Sequence, residues 1–157
     1  AVYPCLKPSP LLRTLIHAFK YGYCEELASV FRSFLVRRFV EEKLDNCTVV
    51  PVPLNVRRFN DRGFNQSFLL AKNLPVSPVD LLVRHRFTSS QVSLSREERL
   101  LNLKDAFSMD FPFVVPARVL LVDDVCTTGA TLMECAKVLR SAGVTHVSAM
   151  VLARGVF

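Results

Sequence analysis

Two adjacent carboxylates, Asp123 and Asp124, stand between a run of apolar residues and a short loop of small, hydroxyl-bearing ones in LLVDDVCTTGAT, residues 120–131. The residue types suggest a division of labour. Thr127, Thr128 and Thr131 offer hydroxyl donors, and Gly129 and Ala130 let a ligand approach the backbone closely. Where such a loop runs from a strand into a helix, it also presents unpaired N–H groups and the positive end of the helix dipole, which favour a phosphate. The carboxylates repel phosphate, but they can accept hydrogen bonds from vicinal hydroxyls or help to position Mg²⁺. A loop that holds a phosphate at one end and a diol at the other suits a ribose 5-phosphate. The plainer alternative is that Asp124 and the threonines cap the helix and finish the strand. Neither GxxxxGK[ST] nor GxGxxG occurs in the chain, which excludes two common phosphate-binding loops.

This chemistry needs a strand before the loop and a helix after it, and the pattern supplies both. ARVLLVD has too many consecutive apolar residues for a one-sided sheet and reads as a central parallel strand covered on both faces. GATLMECAKVLRSAG reads as a helix closed by Gly143, and THVSAMVLA as the next strand, which completes a βαβ unit. The carboxyl end of such a strand is where open α/β sheets bind ligands.

Upstream, SPLLRTLIHAFKY predicts a helix capped by Ser9, with Pro10 in its first turn, an apolar face of Leu12, Leu15, Ile16 and Phe19, and Gly22 as its stop. CEELASVFRSFLVRRFVEE predicts a longer helix with Leu27, Val30, Phe31, Phe34, Leu35 and Val40 on one face. Phe31 and Phe34 are most simply core; an oligomer face or a surface that stacks nucleic-acid bases is the alternative. CTVVPVPL predicts a strand that stops near Val50, where the prolines open a rigid loop. NQSFLLAKNL is expected to be helical and VDLLVRHR a strand. SREERLLNL is expected to be a helix through its Ser95–Glu98 capping box.

The chain has 157 residues and a net charge of +6, sufficient for one domain with a sizeable core. Between Thr48 and Met109 lie nine Lys/Arg against five Asp/Glu, so four of the six surplus charges fall mid-chain. A site built there should be electropositive, suited to phosphorylated metabolites or nucleic acid. Five widely spaced cysteines without a CxxC pair give neither a zinc signature nor a disulfide framework, and a reducing cytoplasm is the simplest compartment. The longest stretch free of Asp, Glu, Lys and Arg, Ser141 to Ala153, is thirteen residues, too short to span a bilayer, so no membrane insertion is expected. No signal peptide is visible. The chain opens on Ala1 rather than Met, which leaves room for a segment upstream.

VLLVDDVCTTGAT resembles the phosphoribosyl-pyrophosphate (PRPP) motif of type I phosphoribosyltransferases: four apolar residues, two acids, then a Thr/Ser-Gly loop ending in Thr. More specifically, the chain resembles the ComF (GntX-like) family, proteins of this fold tied to bacterial competence and DNA uptake. The likeness extends through LLRTLIHAFKYGYCEELA, VVPVPLNVRRFNDRGFNQSFLLAKNL and RHRFTSSQVSLSREERLLNLKDAF, nearly the whole chain. It departs in one respect: the Cys-rich zinc ribbon usual at the start of that family has no counterpart in these residues, so no zinc site is carried over.

The resemblance implies an α/β type I phosphoribosyltransferase fold over residues 1–157: one domain with a mainly parallel sheet, an N-terminal helical segment and a flexible loop. It implies that Asp123, Asp124, Val125, Cys126, Thr127, Thr128, Gly129, Ala130 and Thr131 bind PRPP, with Mg²⁺ arriving on the ligand and Asp123 and Asp124 as its candidate protein ligands. Val52, Pro53 and Leu54 fall at the fold's pyrophosphate loop, followed by Arg57, Arg58 and Arg62. Guanidinium forks suit diphosphate oxygens there, and a solvated basic turn is the alternative. Phe64 reads as core, and Asn65 or Gln66 as ligand or loop-fixing groups. The stretch from Arg84 to Lys104 corresponds to a loop that closes over the reaction centre, with Arg86 and Arg99, together with Asp123 and Asp124, as candidate catalytic groups and Gln91 and Arg96 as candidate contacts. Arg96 and Arg99 could equally form the surface face of a short helix. His17 reads as a packed or boundary residue, His85 as exposed, His146 as needing no function, and Cys126 as a small filler in the cradle.

The implied reaction displaces diphosphate from C1 of PRPP by a nucleophile, usually nitrogen. The alternatives are a non-catalytic protein that senses PRPP and binds single-stranded DNA, and a PRPP-responsive regulator. A competence helicase and a second copy of the chain are the further candidate partners.

Overall fold

The computed structural model of the chain describes residues 1–22, 24–85, 106–110 and 114–155. Its centre is the strand that the apolar run forecast, β5 (Arg118–Cys126). Val119, Leu120, Leu121 and Val122 are all buried. Successive residues of a strand point to opposite faces. Leu120 and Val122 accordingly join the core under the N-terminal helices, while Val119 and Leu121 join the core under the C-terminal helix. The whole sheet is parallel and ordered β1 (Val2–Pro4), β6 (His146–Arg154), β5, β2 (Thr48–Pro51).

One layer comprises α1 (Pro10–Tyr21), α2 (Leu27–Glu41) and α4 (Gln66–Ala71). Ser9 caps α1 as expected, its hydroxyl accepting from the Leu12 amide at 3.1 Å. Phe19 is fully buried between Phe31, at 6.1 Å between ring centroids, and Phe64, at 5.9 Å. Phe64 is thus core, as read. On α2 the buried stripe is Ala28, Phe31, Leu35 and Phe39. Val30 and Val40, assigned to that face from sequence, are 53% and 65% exposed. The i, i+3, i+4 chain through Phe31 favours Ala28 and Phe39 over the misaligned valines. The opposite layer is α5 (Ala130–Ser141), the crossover between β5 and β6.

Three further elements, two three-residue strands and one helix, had no clear pattern, whereas the strand expected within VDLLVRHR forms. β1 is only three residues long. A short antiparallel pair joins β3 (Leu82–Arg84) and β4 (Phe107–Met109), with Arg84 opposite Phe107. The arginine-rich stretch is a helix, α3 (Val56–Arg62), where a turn was the alternative. Asn55 caps it, accepting from the Arg57 amide at 3.0 Å, and Gly63 ends it at φ +77°, a conformation glycine adopts without penalty.

β2 also runs further than its prolines suggested. Pro51 pairs with Val122, and the Val52 amide donates to the Val122 carbonyl at 2.9 Å. Proline is tolerated there because β2 is an edge strand, where a missing donor breaks no second ladder. The expected helix at residues 95–103, and with it Arg86, Gln91, Arg96 and Arg99, lies outside the described residues.

Candidate functional site

The carboxyl ends of β5 and β2 open into a cleft of about 570 Å³. Its floor is Asp123, Asp124 and Val125. Asp124 is in phase with Leu120 and Val122 and so turns toward α1, where the Lys20 ammonium meets Asp124 Oδ2 at 3.0 Å. Lys20 is a quarter exposed and the Asp124 side chain about a tenth, so the pair is largely removed from water. Asp123 is fixed differently: its Oδ1 accepts from the Ser67 hydroxyl and from the Asp124 amide, both at 2.9 Å. The two carboxylates are therefore neighbours with separate partners, one cationic and one neutral.

That arrangement has an electrostatic consequence. Burial, and then the adjacent Asp124 charge, push the Asp123 carboxyl above the usual carboxylate range. Lys20, the Ser67 hydroxyl and the Asp124 amide pull the other way without cancelling the rise. Part of Asp123 still faces the cleft, and a donor arriving from there would favour the charged form.

One wall belongs to α1, which contributes Arg13, Ile16, His17 and Tyr21 as well as Lys20. His17, read as a packed or boundary residue, is exposed on this wall, its ring tilted against Tyr21 at 4.9 Å. The opposite wall holds Val52, Pro53 and Leu54, then Arg58 and Arg62 from one face of α3. The Arg62 guanidinium sits 4.9 Å over the Tyr21 ring and donates to Gln66 Oε1 at 3.1 Å. Arg57 was placed at the site from sequence, but it is exposed and does not line the cleft. Residues four apart share a helix face, so Arg58 and Arg62 face the cleft together and Arg57 points off it. Asn65 is a loop-fixing group: its Nδ2 donates to the Val52 carbonyl at 3.1 Å and its Oδ1 accepts from the Ser67 amide at 3.0 Å.

The loop after β5 divides. Thr127 and Thr131 line this cleft. Cys126, Thr128 and Gly129 line a second cavity, of about 700 Å³, which Thr127 also reaches. Ala130 is buried and lines neither. Capping by Asp124, the plainer alternative, does not occur: Asp124 pairs with Lys20, and α5 starts on Gly129, at φ +80°, with no side-chain cap. The Thr128 hydroxyl approaches the Ala130 amide only at 3.4 Å. The first turn of α5 thus keeps amides for a ligand. Burial raises the Cys126 thiol, with Arg154 opposing, which suits a filler rather than a nucleophile. His85 bonds Ser108 on the β3–β4 pair and does not line the cleft.

Arg13, Lys20, Arg58, Arg62 and Arg84 line the cleft against two aspartates. Burial, reinforced by Arg58, lowers the Arg84 guanidinium from its usual value. Such a lining attracts a multiply charged anion, while the floor selects for hydroxyls. Among the described residues no group of three or more His, Cys, Asp or Glu could hold a metal ion. The residues present fit Mg²⁺ only as an ion that shares its coordination with ligand oxygens. No helix among the described residues is long and apolar enough to cross a membrane.

Lys20 and Ser67 were not singled out as site residues from sequence, whereas Arg58 and Arg62, named there with Arg57, do line the cleft. Lys20 lies in the FKYG stretch that carried part of the family likeness, but its approach to Asp124 depends on how α1 packs across the sheet.

This fold and cleft define a phosphoribosyl transferase domain, and residues 63–155 match that domain family. The chain is 36% identical over 159 residues to the DNA utilization protein YhgH of Escherichia coli (strain K12), covering 93% of this chain and 68% of that protein. It is 41% identical over 118 residues to Competence protein F of Haemophilus influenzae, covering 68% of this chain and 49% of that one. The match to competence protein ComFC of Streptococcus pneumoniae is 34% over 128 residues, covering 82% and 56%. The chain belongs to the ComF-like family of phosphoribosyl transferase-domain proteins.

Proposed function

We propose that the cleft binds PRPP with Mg²⁺ and that the protein acts in DNA utilization or natural transformation by transferring ribose 5-phosphate from PRPP to a nucleophile. One observation carries this above the others. Two separately held carboxylates, Asp124 buried and Asp123 partly so, are followed within a few residues by an uncapped helix N-terminus, in a cleft that five cationic side chains also line. The α5 amides and Thr131 suit the 5-phosphate. Asp124 and Asp123 accept from the ribose hydroxyls, and Arg58 and Arg62 suit the diphosphate.

In the transfer the C1–O bond to diphosphate breaks, the leaving group takes the electron pair, and a bond forms from C1 to the nucleophile, whose proton passes to solvent. Bound Mg²⁺ would add positive charge on the diphosphate oxygens. The described residues would hold the sugar by its hydroxyls and stabilise the departing charge. The DNA connection rests on the names of the relatives, DNA utilization protein and competence protein.

Those names and the mid-chain basic surplus also favour a second role, a PRPP-sensing protein that binds single-stranded DNA without turnover. The two separate in one assay. Diphosphate release is followed with PRPP, Mg²⁺ and a panel of amines and nucleobases. Acceptor-dependent release that Asp124→Asn abolishes supports transfer. PRPP binding without release from any acceptor, together with DNA binding that weakens steeply with salt, supports sensing.

A further inference from the structure

Gln66 presents a feature the proposed chemistry has not used. The residue is only 2% exposed, lines the cleft, and its Nε2 has no hydrogen-bond partner among the described residues. Its orientation is not arbitrary. Arg62 donates to Gln66 Oε1 at 3.1 Å, and a guanidinium carries donors only, so the amide oxygen must face Arg62 and the NH₂ must face away. A buried donor without an acceptor is costly, and native structures keep such groups mainly where a ligand or function uses them. The neighbours indicate the kind of acceptor. Arg58 and Arg62 line the cleft on the same wall, with Lys20 opposite, so the local field favours an anionic oxygen over a neutral one. The sugar hydroxyls, which donate to Asp123 and Asp124 in the proposed pose, could also accept, but a neutral oxygen is a weaker acceptor than an anionic one in this cationic surround.

We infer that Gln66 is a ligand-binding residue whose buried amide NH₂ donates to a diphosphate oxygen, so that the cleft distinguishes a ribosyl diphosphate from a ribosyl monophosphate. This rests on the ribosyl phosphate assignment of the cleft. The nitrogen is closed to water, so contact requires a small movement. Arg62, partly exposed and bonded to the same amide, is the side chain that an anion entering the cleft would draw with it.

The test is calorimetric titration of inorganic diphosphate with Mg²⁺, and separately of ribose 5-phosphate, into the wild type, Gln66→Glu and Gln66→Met. Gln66→Glu keeps an acceptor for Arg62 and removes the donor; Gln66→Met removes both at similar volume. Both variants should bind diphosphate about tenfold or more weakly, as expected for a hydrogen bond to a charged group. Ribose 5-phosphate affinity should change by less than about threefold on the same scale. Gln66→Glu should not melt below the wild type, because it keeps an acceptor for Arg62 and loses only an unpartnered donor, whereas Gln66→Met also loses the Arg62 bond and should melt lower; a purely structural role of the NH₂ requires a lower Tm in Gln66→Glu. If the wild type binds ribose 5-phosphate while diphosphate affinity is unchanged, or falls in parallel with that of the monophosphate, the role of Gln66 is overturned and the cleft assignment stands. If the wild type binds neither ligand, both are overturned.

Discussion

Replacing Lys20 by methionine isolates the ion pair at the base of the cleft. The ammonium lies 3.0 Å from Asp124 Oδ2, and Asp123 stands next in the chain with its own carboxyl pushed upward by burial and by Asp124. Removing one partner of a fully buried pair costs about 3–5 kcal/mol, because the remaining charge is stranded. Here Lys20 is a quarter exposed and the two carboxyls can share a proton, so about 2 kcal/mol is expected at pH 8. For a domain of this size that is a fall in Tm of about 4–8 °C. The loss should shrink toward pH 5. A carboxyl whose folded pKa is raised gives up stability as pH climbs through that pKa, and without Lys20 it is raised further, so the penalty sits at high pH. Thermal melts from pH 5 to 8 in chelator, without ligand, read this directly. Lys20→Met/Asp124→Asn should recover most of the loss. An equal Tm change at both pH values, or none at either, refutes the electrostatic reasoning.

Asp123→Asn should raise Tm relative to the wild type at pH 8, with the gain fading as pH falls, because it removes the charge that burial penalises; melts across the same pH range check it. Phe19→Ala should cost about 3–5 kcal/mol in denaturant unfolding, since it empties a fully buried position against Phe31 and Phe64. Gly129→Ala should cost about 1–2 kcal/mol from backbone strain alone, since φ is +80° and the added carbon would meet only Cys126 Sγ, at 3.8 Å; unfolding curves give the value. Thiol titration of the native protein should find Cys24 fast and Cys5, Cys126 and Cys135 slow, because burial raises all three, Cys5 to about 12.

The part of the fold that carries the cleft was legible because its signals are local and redundant. Four consecutive apolar residues between turn signals read as a strand buried on both faces, and the acids and threonines that follow mark where it ends. The caps of α1 at Ser9 and Gly22 were equally readable. α3 escaped because VRRFNDR has no apolar stripe, although Asn55 and Gly63 bracket it with the residues a short helix needs. That omission placed Arg57 in the site with Arg58 and Arg62, whereas the helical face keeps only the latter two. β1 and β4 are three residues each, shorter than any periodicity can reveal. Lys20 and Ser67 were illegible for another reason: each reaches its aspartate from an element more than fifty residues away in sequence, and only the packing of α1 and α4 on β5 brings them together.

The most direct measurement is calorimetric titration of PRPP with Mg²⁺ into the wild type and into Asp123→Asn/Asp124→Asn. If the paired carboxylates hold the sugar, the wild type binds with a stoichiometry of about one, as a single cleft requires, and the double variant, still folded, loses most of that affinity. Equal binding by both proteins, or none by the wild type, contradicts the assignment of this cleft to a ribosyl phosphate.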